Sequence, residues 1–305
     1  MPTNPGKQAV VRFIEETTPG TTPADPDLLL FAPETQRISF GLDKNSKESL
    51  DIGEVDVHDF FTVQNAYTLE VEFNLYDVTS GLADFLARRS DGAPKAFTIE
   101  VIPDEDAASP HYIRCTGWRV NDVALGGSLD NPYVVTITFA AGLIVDPTTS
   151  DPGIGTGSRE TKTAYATRTS NAVLKHFSSG AITLDGSPVA VLLGSLELTV
   201  ANGVEASYTT GSAEPVTTAT RFGNRRYTGT ADLSLDDGSL AHWTRVDGFT
   251  EHSLAIPFGT GSGDDILTLT GVRFPSIEVE AAVDTDILMG GQPFVAKTHA
   301  FSTVP

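Results

Sequence analysis

An internal repeat is the feature of this sequence that most restricts its fold. The stretch IRCTGWRV, residues 113–120, returns 154 positions later as LTLTGVRF, residues 267–274, with Thr-Gly-x-Arg in the same places. The match continues upstream, where YTLEVEFNLYD (67–77) aligns with YTGTADLSLDD (227–237), each a Tyr-Thr start, an alternating strand and an Asp stop. The sequence therefore predicts a tandem duplication of one fold.

The length agrees with such a duplication. A chain of 305 residues suits two domains of about 150 residues each. We predict a first domain over 1–145 and a second over 171–305. Between them, residues 146–170 are rich in Pro, Gly, Ser and Thr and have no apolar period, so we predict a linker there.

The local patterns favour an almost entirely β fold. The 28 glycines and 18 prolines break the sequence into short stretches. Apolar residues alternate along the predicted strand 67–76, and a hairpin at Asp185-Gly186 opens the second domain. A short helix follows that strand, with Leu82, Phe85 and Leu86 on one face behind a Ser80 cap; residues 237–246 repeat this pattern.

A long excursion separates the first strand of each copy from the Tyr-Thr strand. We call residues 43–66 the first excursion and residues 201–226 the second excursion. Both are too long for simple hairpins. Because such a loop recurs at the same place in both copies, we expect it to dock on another surface.

The charge excludes several functions. A net charge of −20 is incompatible with a sequence-independent grip on nucleic-acid phosphates, which needs rows of Lys and Arg. The sole cysteine, Cys115, cannot form an internal disulfide. Neither a signal peptide nor an apolar window of membrane-spanning length is recognisable, so we expect a soluble protein without membrane insertion.

Catalytic and metal-binding patterns are weak, so we predict no enzyme, no cofactor and no metal. The six histidines have no zinc-site spacing: His58, His111, His176, His242, His252 and His299. The acidic clusters 103–107, 261–266 and 284–286 lack EF-hand spacing, so solvated turns are favoured over cation sites. No Ser, His and Asp set is marked as a triad.

The balance of charged residues allows a second explanation of the acidity. Aspartate outnumbers glutamate, and only seven lysines are present, as expected of proteins that stay hydrated in concentrated salt. A halophilic host is therefore a hypothesis. In molar salt the screening length falls to about 3 Å, and the acidity would then serve solubility more than long-range repulsion of DNA.

These stretches together resemble a known family. The segment EETTPGTTPADPDLLLFAPETQRIS (15–39), and a later run from LELTVANG (196–203) to LTLTGVRFPSIEVE (267–280), are similar to the tail tube (major tail) proteins of tailed phages and archaeal tailed viruses. The resemblance covers most of the chain, and residues 146–170 have no counterpart in it. It rests on turn and strand signatures.

The resemblance implies an all-β fold of two tandem tail-tube-like β-sandwich or half-barrel domains, each with one short flanking helix and a long loop. It implies that the sheets of neighbouring subunits join into rings, and that rings stack into the tube through which viral DNA leaves. It further implies a virion protein, assembled in the host cytoplasm, whose partners at the tube ends are tape measure, terminator and baseplate proteins.

Site residues are assigned by position within this scheme. The loops that reach an adjacent ring are the two excursions, with Ile52, Val55, Val57, Tyr208 and Glu214. The candidate channel-facing carboxylates, on the solvated face of alternating strands, are Glu70, Glu72, Asp232, Glu278 and Glu280. An acidic wall would let DNA slide without sticking, although ordinary outer-surface charges explain each residue equally well. The basic stretch RFGNRR supplies candidate subunit contacts, Arg221, Arg225 and Arg226.

Ring stoichiometry and function class both have alternatives. If both domains line the channel, three chains give a pseudo-hexameric ring, which we favour; if only one does, six chains form it. A carbohydrate-binding or adhesin-like β-sandwich is the rival function, and a polysaccharide-cleaving enzyme is a third. The two tryptophans, Trp118 and Trp243, fit core positions better than an exposed sugar platform.

Overall fold

The regular structure of the computed structural model is mostly antiparallel β-strand with a few short helical segments, which confirms the predicted all-β class. It describes residues 9–33, 35–43, 46–49, 59–62, 64–105, 107, 109–129, 131–144, 148–169, 173–177, 181–188, 195–210, 212, 214–218, 220–234, 246–259, 261–276 and 288–303.

Within these described ranges, the first half of the chain contains ten strands and the second half another ten. In chain order they are β1 (Val10–Glu15), β2 (Leu29–Leu30), β3 (Thr35–Asp43), β4 (Ser46–Ser49), β5 (Asp59–Thr62), β6 (Ala66–Asn74), β7 (Ala96–Ile102), β8 (Ile113–Ser128), β9 (Asn131–Ala140), β10 (Leu143–Ile144), β11 (Thr183–Leu184), β12 (Ser187–Pro188), β13 (Ser195–Ala201), β14 (Val204–Glu205), β15 (Arg221–Phe222), β16 (Arg226–Ser234), β17 (His252–Pro257), β18 (Asp265–Val272), β19 (Leu288–Ala296) and β20 (Thr298–Thr303). A π-helical turn (Thr79–Ala83) continues into the α-helix α1 (Asp84–Leu86), and α2 spans Lys162–Arg168.

The first half forms one sheet in the order β2-β1-β7-β8-β9-β6-β3. Along β6 the burial alternates as predicted, since Leu69, Val71 and Phe73 are fully buried while Glu70 and Glu72 point to the other side. This alternation gives the sheet one core face and one polar face.

The strand β8 joins the two halves of the chain. It is sixteen residues long, and its first part pairs with β7. Its last part pairs on the same edge with β13 over seven residue pairs, from Asp122↔Ala201 to Ser128↔Ser195. The second half therefore extends the first-half sheet as β8-β13-β16-β19. We call the β8–β13 pairing the seam.

The second half also forms a smaller sheet in the order β12-β11-β17-β18-β20. Only Lys297 separates β19 from β20, so this continuous stretch pairs first with β16 and then with β18. Hydrogen-bonded neighbours in the second half thus follow the order β13-β16-β19/β20-β18-β17-β11. The corresponding first-half order is β3-β6-β9-β8-β7-β1.

The Thr-Gly pair of the repeated motif forms a β-bulge at both sites. Opposite Thr98 of β7 lie two residues of β8, Thr116 and Gly117. In β18, Gly271 is the extra residue relative to β17. Both glycines have a positive φ, +71° and +64°, which residues with a Cβ rarely adopt. The repeated motif therefore reflects a requirement of the backbone.

The short helix after β6 is present, and its apolar face is buried. Leu82, Phe85 and Leu86 are each 1% exposed. The predicted cap is wrong: the helical segment begins after Val78, which makes no side-chain cap bond, so Ser80 lies inside the first turn.

Two predictions for the second half have different outcomes. The hairpin at Asp185-Gly186 is confirmed, because β11 and β12 pair directly across these two residues. The second helical segment, 237–246, lies almost entirely outside the described residues.

One apolar core runs through both halves. In the first half it is rich in phenylalanine, with Phe31 and Phe85 stacked at a centroid distance of 5.1 Å. Tyr133 of β9 contacts Phe177 at 5.8 Å and Phe258 at 5.2 Å. These aromatic contacts bury the second half against the first, behind the seam.

Residues 148–169, which we call the strap, cover most of the predicted linker and pack against the first half. The strap contains α2, whose Tyr165 is 1% exposed. The Glu160 carboxylate accepts hydrogen bonds from the Leu30 amide (2.8 Å) and from Arg168 (2.6 Å). The Glu160 amide in turn donates to the Leu28 carbonyl (2.9 Å).

The strap is also held by a buried ion-pair network. Glu100 of β7 is fully buried and accepts from Arg159 of the strap (2.6 Å) and from Arg114 of β8 (2.7 Å). Arg159 also pairs with Asp151 (2.7 Å) and holds the pKa of that carboxyl below its ordinary value. Residues 148–169 are therefore a packed segment, and their role as a linker between two domains stays a prediction. The apolar period that would have indicated packing is absent because charges and backbone hydrogen bonds hold this segment.

Candidate assembly surface

The polar face of the joined sheet is continuous across the seam. One row of side chains crosses six strands from β3 to β16 at the paired positions Ser39, Glu70, Thr138, Asp122, Ala201 and Arg226. The next row contains Arg37, Glu72, Thr136, Ala124, Thr199 and Thr228. We call this surface the polar face.

The charges of the polar face are mixed, with an acidic excess. Arg37 forms ion pairs with both predicted carboxylates, Glu70 and Glu72, the second at 3.3 Å. Asp122 beside the seam is partly buried, and burial raises its pKa. On this face, the charged residues of β3, β6, β13, β16 and the seam part of β8 whose side chains the structure describes are Arg37, Arg226, Asp43, Glu70, Glu72, Asp122 and Glu197. Two are positive and five negative, so their net charge is 2 − 5 = −3.

The predicted channel-facing residues divide into two groups. Glu70 and Glu72 lie on the polar face. Asp232 lies in β16, six residues along from Arg226, and its side chain is outside the described part. Glu278 and Glu280 lie outside the described residues. Sequence reasoning missed Asp122 and Glu197, although alternation in NDVALGGS and LELTVA would have indicated them.

The seam is closed at one end by a buried asparagine. Asn202 is 1% exposed, and its Nδ2 donates to the Val120 carbonyl (3.0 Å). The Asn202 amide donates to the Asn121 carbonyl (2.7 Å), and the Asn121 side chain accepts from the Val204 amide (2.7 Å). These bonds fix the start of the second excursion against β8.

The second excursion crosses over the first half. Tyr208 donates its hydroxyl to the Asn65 carbonyl (2.9 Å), and the Asn65 side chain donates to Glu214 (2.6 Å). Further along, the Thr217 side chain lies directly on Gly20 and on the bulge glycine Gly117. The described part of this loop thus docks on a half of the same chain.

Two of the five predicted inter-ring residues can therefore be placed. Tyr208 and Glu214 meet at Asn65, the residue before β6. Ile52, Val55 and Val57 lie outside the described residues. Near them, β4 and β5 pair as a hairpin within the first excursion.

The basic stretch RFGNRR does not act as one patch. Arg221 is exposed on β15, opposite Glu205 of β14, and Arg226 is exposed on the polar face. Arg225 instead turns inward, and its Nε donates to the Asn202 side-chain oxygen (3.0 Å). The structure thus separates the three predicted contact residues.

Arg225 shares its acceptor with an arginine of the first half. Arg88, which follows α1, donates to the same Asn202 oxygen (3.0 Å). Burial and the charge of Arg225 lower the pKa of Arg88. Among the described residues neither guanidinium has a carboxylate partner, and Arg88 Nε and Arg225 Nη2 have no acceptor. We call Arg88 and Arg225 the arginine pair.

The cysteine and the described residues of the acidic clusters, which the sequence offered as possible reactive or cation-binding groups, have structural roles. Cys115 is buried, and burial raises its pKa to about 12, so a reactive thiolate is disfavoured. Glu105 of the first acidic cluster pairs with Arg12 (2.5 Å), and Asp264 of the second accepts from the Gly261 amide (2.7 Å). The third cluster, 284–286, is outside the described residues.

Thr250, His252 and Asp185 form a series of hydrogen bonds that resembles a catalytic triad and that the sequence did not indicate. His252 bonds to Asp185 (2.7 Å) and to Thr250 (2.8 Å), and Asp185 also accepts from the Ser253 amide (2.9 Å). These bonds tie the β11–β12 turn to β17. Within the described part of the chain, no group of three or more His, Cys, Asp and Glu could hold a metal ion.

Two further observations concern the rival functions. Trp118 is fully buried against Gly142, where it cannot stack on a sugar, and Trp243 lies outside the described residues. Over the residues that the structure describes, no helix is long and apolar enough to cross a bilayer.

Comparison with known proteins identifies the family. A family model for phage tail tube proteins matches residues 6–299, nearly the whole chain. A search of curated proteins gave no match. The chain belongs to the phage tail tube protein family, which confirms the resemblance seen in the sequence, and it is a structural component of a viral tail.

Proposed function

We propose that this protein self-assembles into stacked rings that form the tail tube, the conduit for viral DNA delivery. The observation that carries the proposal is the seam, where β13 adds to the edge of β8 within one chain. A sheet that extends edge to edge in this way can continue through further copies until it closes on itself, which removes its open edges.

The strand orders support a tandem duplication, with copies in 1–145 and 171–305. Corresponding strands are connected in the same order in both halves, and both carry the glycine bulge at the same strand. Under this proposal the seam is one copy of a joint that recurs around the ring.

The outer edge of the first half is where the next joint would form. Within the described residues β3 pairs only with β6, whereas its counterpart β13 pairs with both β16 and β8. The repeat extends to ISFGLDKN (38–45), which begins in β3, and LELTVANG (196–203), which begins in β13. In this alignment Ile38 corresponds to Leu196, Phe40 to Leu198 and Leu42 to Val200. The three residues of β13 are 1–2% exposed, but Leu42 is 50% exposed. A second copy that covers β3 would bury this apolar stripe.

The duplication bears on the number of chains in a ring. If both halves line the channel, three chains supply six equivalent units and close a pseudo-hexameric ring. We favour this trimer because the joined sheet already passes through both halves. A hexamer with one half outside the tube is the alternative.

The polar face is our candidate for the channel wall. It is continuous across the seam, it lies opposite the core, and the charges of the seven residues named above sum to 2 − 5 = −3. An acidic wall would repel phosphates and let DNA pass without sticking. Glu70 and Glu72 would contribute to this wall, with Arg37 reducing their local charge.

The remaining assignments complete the proposal. The middle of the first excursion, with Ile52, Val55 and Val57, would contact an adjacent ring, while other residues of that excursion would lie on the neighbouring chain of the same ring. Tyr208 and Glu214 of the second excursion bind Asn65 of their own chain. Tape measure, terminator and baseplate proteins would bind the tube ends. Assembly would occur in the host cytoplasm. Arg221 and Arg226 are exposed and remain candidates for ion pairs with a neighbouring chain.

The edge assignment is tested by Leu42→Asp, with Leu129→Asp as its matched control. Leu129 lies after β8 and is 49% exposed, against 50% for Leu42. At an exposed position each change should leave the folded single chain about equally stable, within about 0.5 kcal/mol. At a joint, Leu42→Asp loses about 1 kcal/mol of apolar burial and also buries a charge without a partner.

Sedimentation and negative-stain microscopy provide the measurement. We expect tubes from the native chain and from the control, and single folded chains from Leu42→Asp. Normal tube growth by Leu42→Asp would place the joint elsewhere. Cryo-EM of the tube then counts the chains, and six complete chains around one ring would rule out the trimer.

A further inference from the structure

We infer that the arginine pair is a docking site for a carboxylate that the first excursion of a second copy supplies. The inference rests on the proposed assembly and adds to it a specific contact, in which Arg88 and Arg225 receive one or more of the acidic side chains in residues 43–66.

The arginine pair is distinctive because it brings two like charges to one acceptor. Several other arginines in the described residues meet carboxylates at short distance, such as Arg114 on Glu100 (2.7 Å) and Arg168 on Glu160 (2.6 Å). Arg119, which like the pair has no carboxylate partner among the described residues, donates to the Pro94 carbonyl (3.0 Å) and has no second arginine on that acceptor. Arg88 and Arg225 converge on one neutral amide oxygen, that of Asn202, and Arg225 Nη1 also donates to the Tyr227 hydroxyl (3.4 Å). Arg88 Nε and Arg225 Nη2 are buried in the single chain and have no acceptor among the described residues, so a carboxylate would reach the pair through its partly exposed remaining nitrogens. Two cations that share one neutral acceptor repel each other, and a carboxylate between them would relieve this repulsion.

The chain contains an internal example of the contact. Glu214 of the second excursion binds Asn65, and Asn65 stands two residues before Tyr67 at the start of β6. In the aligned repeat, Arg225 stands two residues before Tyr227 at the start of β16. In the first half, Asn65 binds a carboxylate of the second excursion. Arg225 stands at the corresponding position of the second half.

The charge of the two excursions indicates which one fits. The first excursion contains six acidic residues and two lysines, a net charge of 2 − 6 = −4, and the second contains two acidic residues and three arginines. The second excursion already lies on the first half of its own chain. The first excursion is strongly acidic. In a ring of repeated joints, the first excursion would lie on the second half of the neighbouring chain. Guanidinium groups bind carboxylates in paired hydrogen bonds, so the match is chemical as well as positional.

The contact is tested by chemical cross-linking in assembled tubes. Arg225→Lys keeps the positive charge and provides an amine that a carbodiimide can join to a carboxylate in contact. Tubes are grown from a mixture of ¹⁴N-labelled and ¹⁵N-labelled Arg225→Lys chains, treated with carbodiimide, digested and analysed by mass spectrometry. We expect position 225 to be linked to a peptide within 43–66 of the differently labelled chain, and we expect no such link in unassembled chains.

A loss-of-charge variant gives an independent readout. Arg88→Gln combined with Arg225→Gln should raise the protein concentration needed for half-maximal assembly by about tenfold or more, since a desolvated charge pair between chains is lost. Lys162→Gln, at an exposed position on α2, removes a charge elsewhere and should leave that concentration unchanged. Thermal unfolding of each single chain shows whether the variants fold.

The outcomes separate this inference from the proposed assembly. If the native chain forms no rings or tubes, the proposed function fails. If tubes form but position 225 is linked only within its own chain, or to no excursion carboxylate, the inference is overturned. It is also overturned if the double variant assembles normally while losing the ability to bind a duplex DNA oligonucleotide, because the pair is then a phosphate site.

Discussion

The repeated Thr-Gly motif leads to a quantitative prediction about its two glycines. Gly117 and Gly271 occupy the same bulge and have nearly the same φ, +71° and +64°. A methyl group at either position must adopt the left-handed backbone region, which costs about 1–2 kcal/mol. If backbone conformation were the whole effect, Gly117→Ala and Gly271→Ala would destabilise the protein equally.

The surroundings of the two glycines differ, and we expect unequal effects. A Cβ on Gly117 would lie 2.5 Å from Thr217 Cγ2 and 2.6 Å from Thr217 Cβ, in the closed contact between the second excursion and the first half. Such overpacking costs about 1–3 kcal/mol in addition to the backbone term. A Cβ on Gly271 would meet Lys297 Cδ at 2.7 Å and Cγ at 2.8 Å, but these belong to a side chain that is 64% exposed and can move; the fixed Lys297 Cβ lies farther away, at 3.0 Å.

We therefore expect Gly117→Ala to lower the free energy of unfolding by about 2–5 kcal/mol and Gly271→Ala by only about 1–2 kcal/mol. Urea denaturation of the unassembled chain, followed by tryptophan fluorescence, measures both. Adding Thr217→Gly should recover the steric part of the Gly117→Ala loss, as a positive coupling in a double-mutant cycle. Equal losses at the two glycines, or additive losses with Thr217→Gly, would refute the argument from packing.

Three further predictions concern the strap and the charge. Glu100→Gln should lower the free energy of unfolding by about 3–5 kcal/mol, because Arg114 and Arg159 lose their shared buried partner, and limited proteolysis should then cut the strap first; unchanged resistance would show that the network does not hold it. The Arg159 ion pair holds the pKa of Asp151 below its ordinary value of 3.8. The contribution of this ion pair to stability is therefore complete above pH 3.8 and is lost as the pH falls through the lower pKa of the folded state. Hydrogen exchange in the strap should rise only in that lower pH range. If the acidity is an adaptation to concentrated salt, the melting temperature should rise steeply with NaCl up to molar concentrations, and full stability in low salt would exclude that reading.

The strands could be predicted from sequence because their information is local. The alternation along β6, the turn at Asp185-Gly186 and the buried face of the helix near Phe85 follow from residues that are neighbours in the chain. The strap could not be predicted in this way. Its contacts join Arg159 to Glu100 and Glu160 to Leu30 across more than fifty residues, and neither partner forms a periodic pattern.

The assembly surface shows the same division. Glu70 and Glu72 were correctly placed on a solvated face, but their shared partner Arg37 lies on another strand. The arginine pair depends on Asn202 bringing Arg88 and Arg225 together from different halves, and no spacing in the sequence signals this meeting. Local patterns identify which side of a strand faces solvent, while the fold determines which solvent-facing side chains contact each other.

Because the seam connects two parts of one polypeptide, its formation does not depend on how many molecules the cell contains. β13 reaches β8 by closing a loop of the chain, at an effective concentration fixed by that loop. In a pseudo-hexameric ring, every second joint would therefore be complete as soon as a chain has folded. Growth of the tube would depend on concentration only at the remaining joints, and the two kinds of joint could then diverge in sequence.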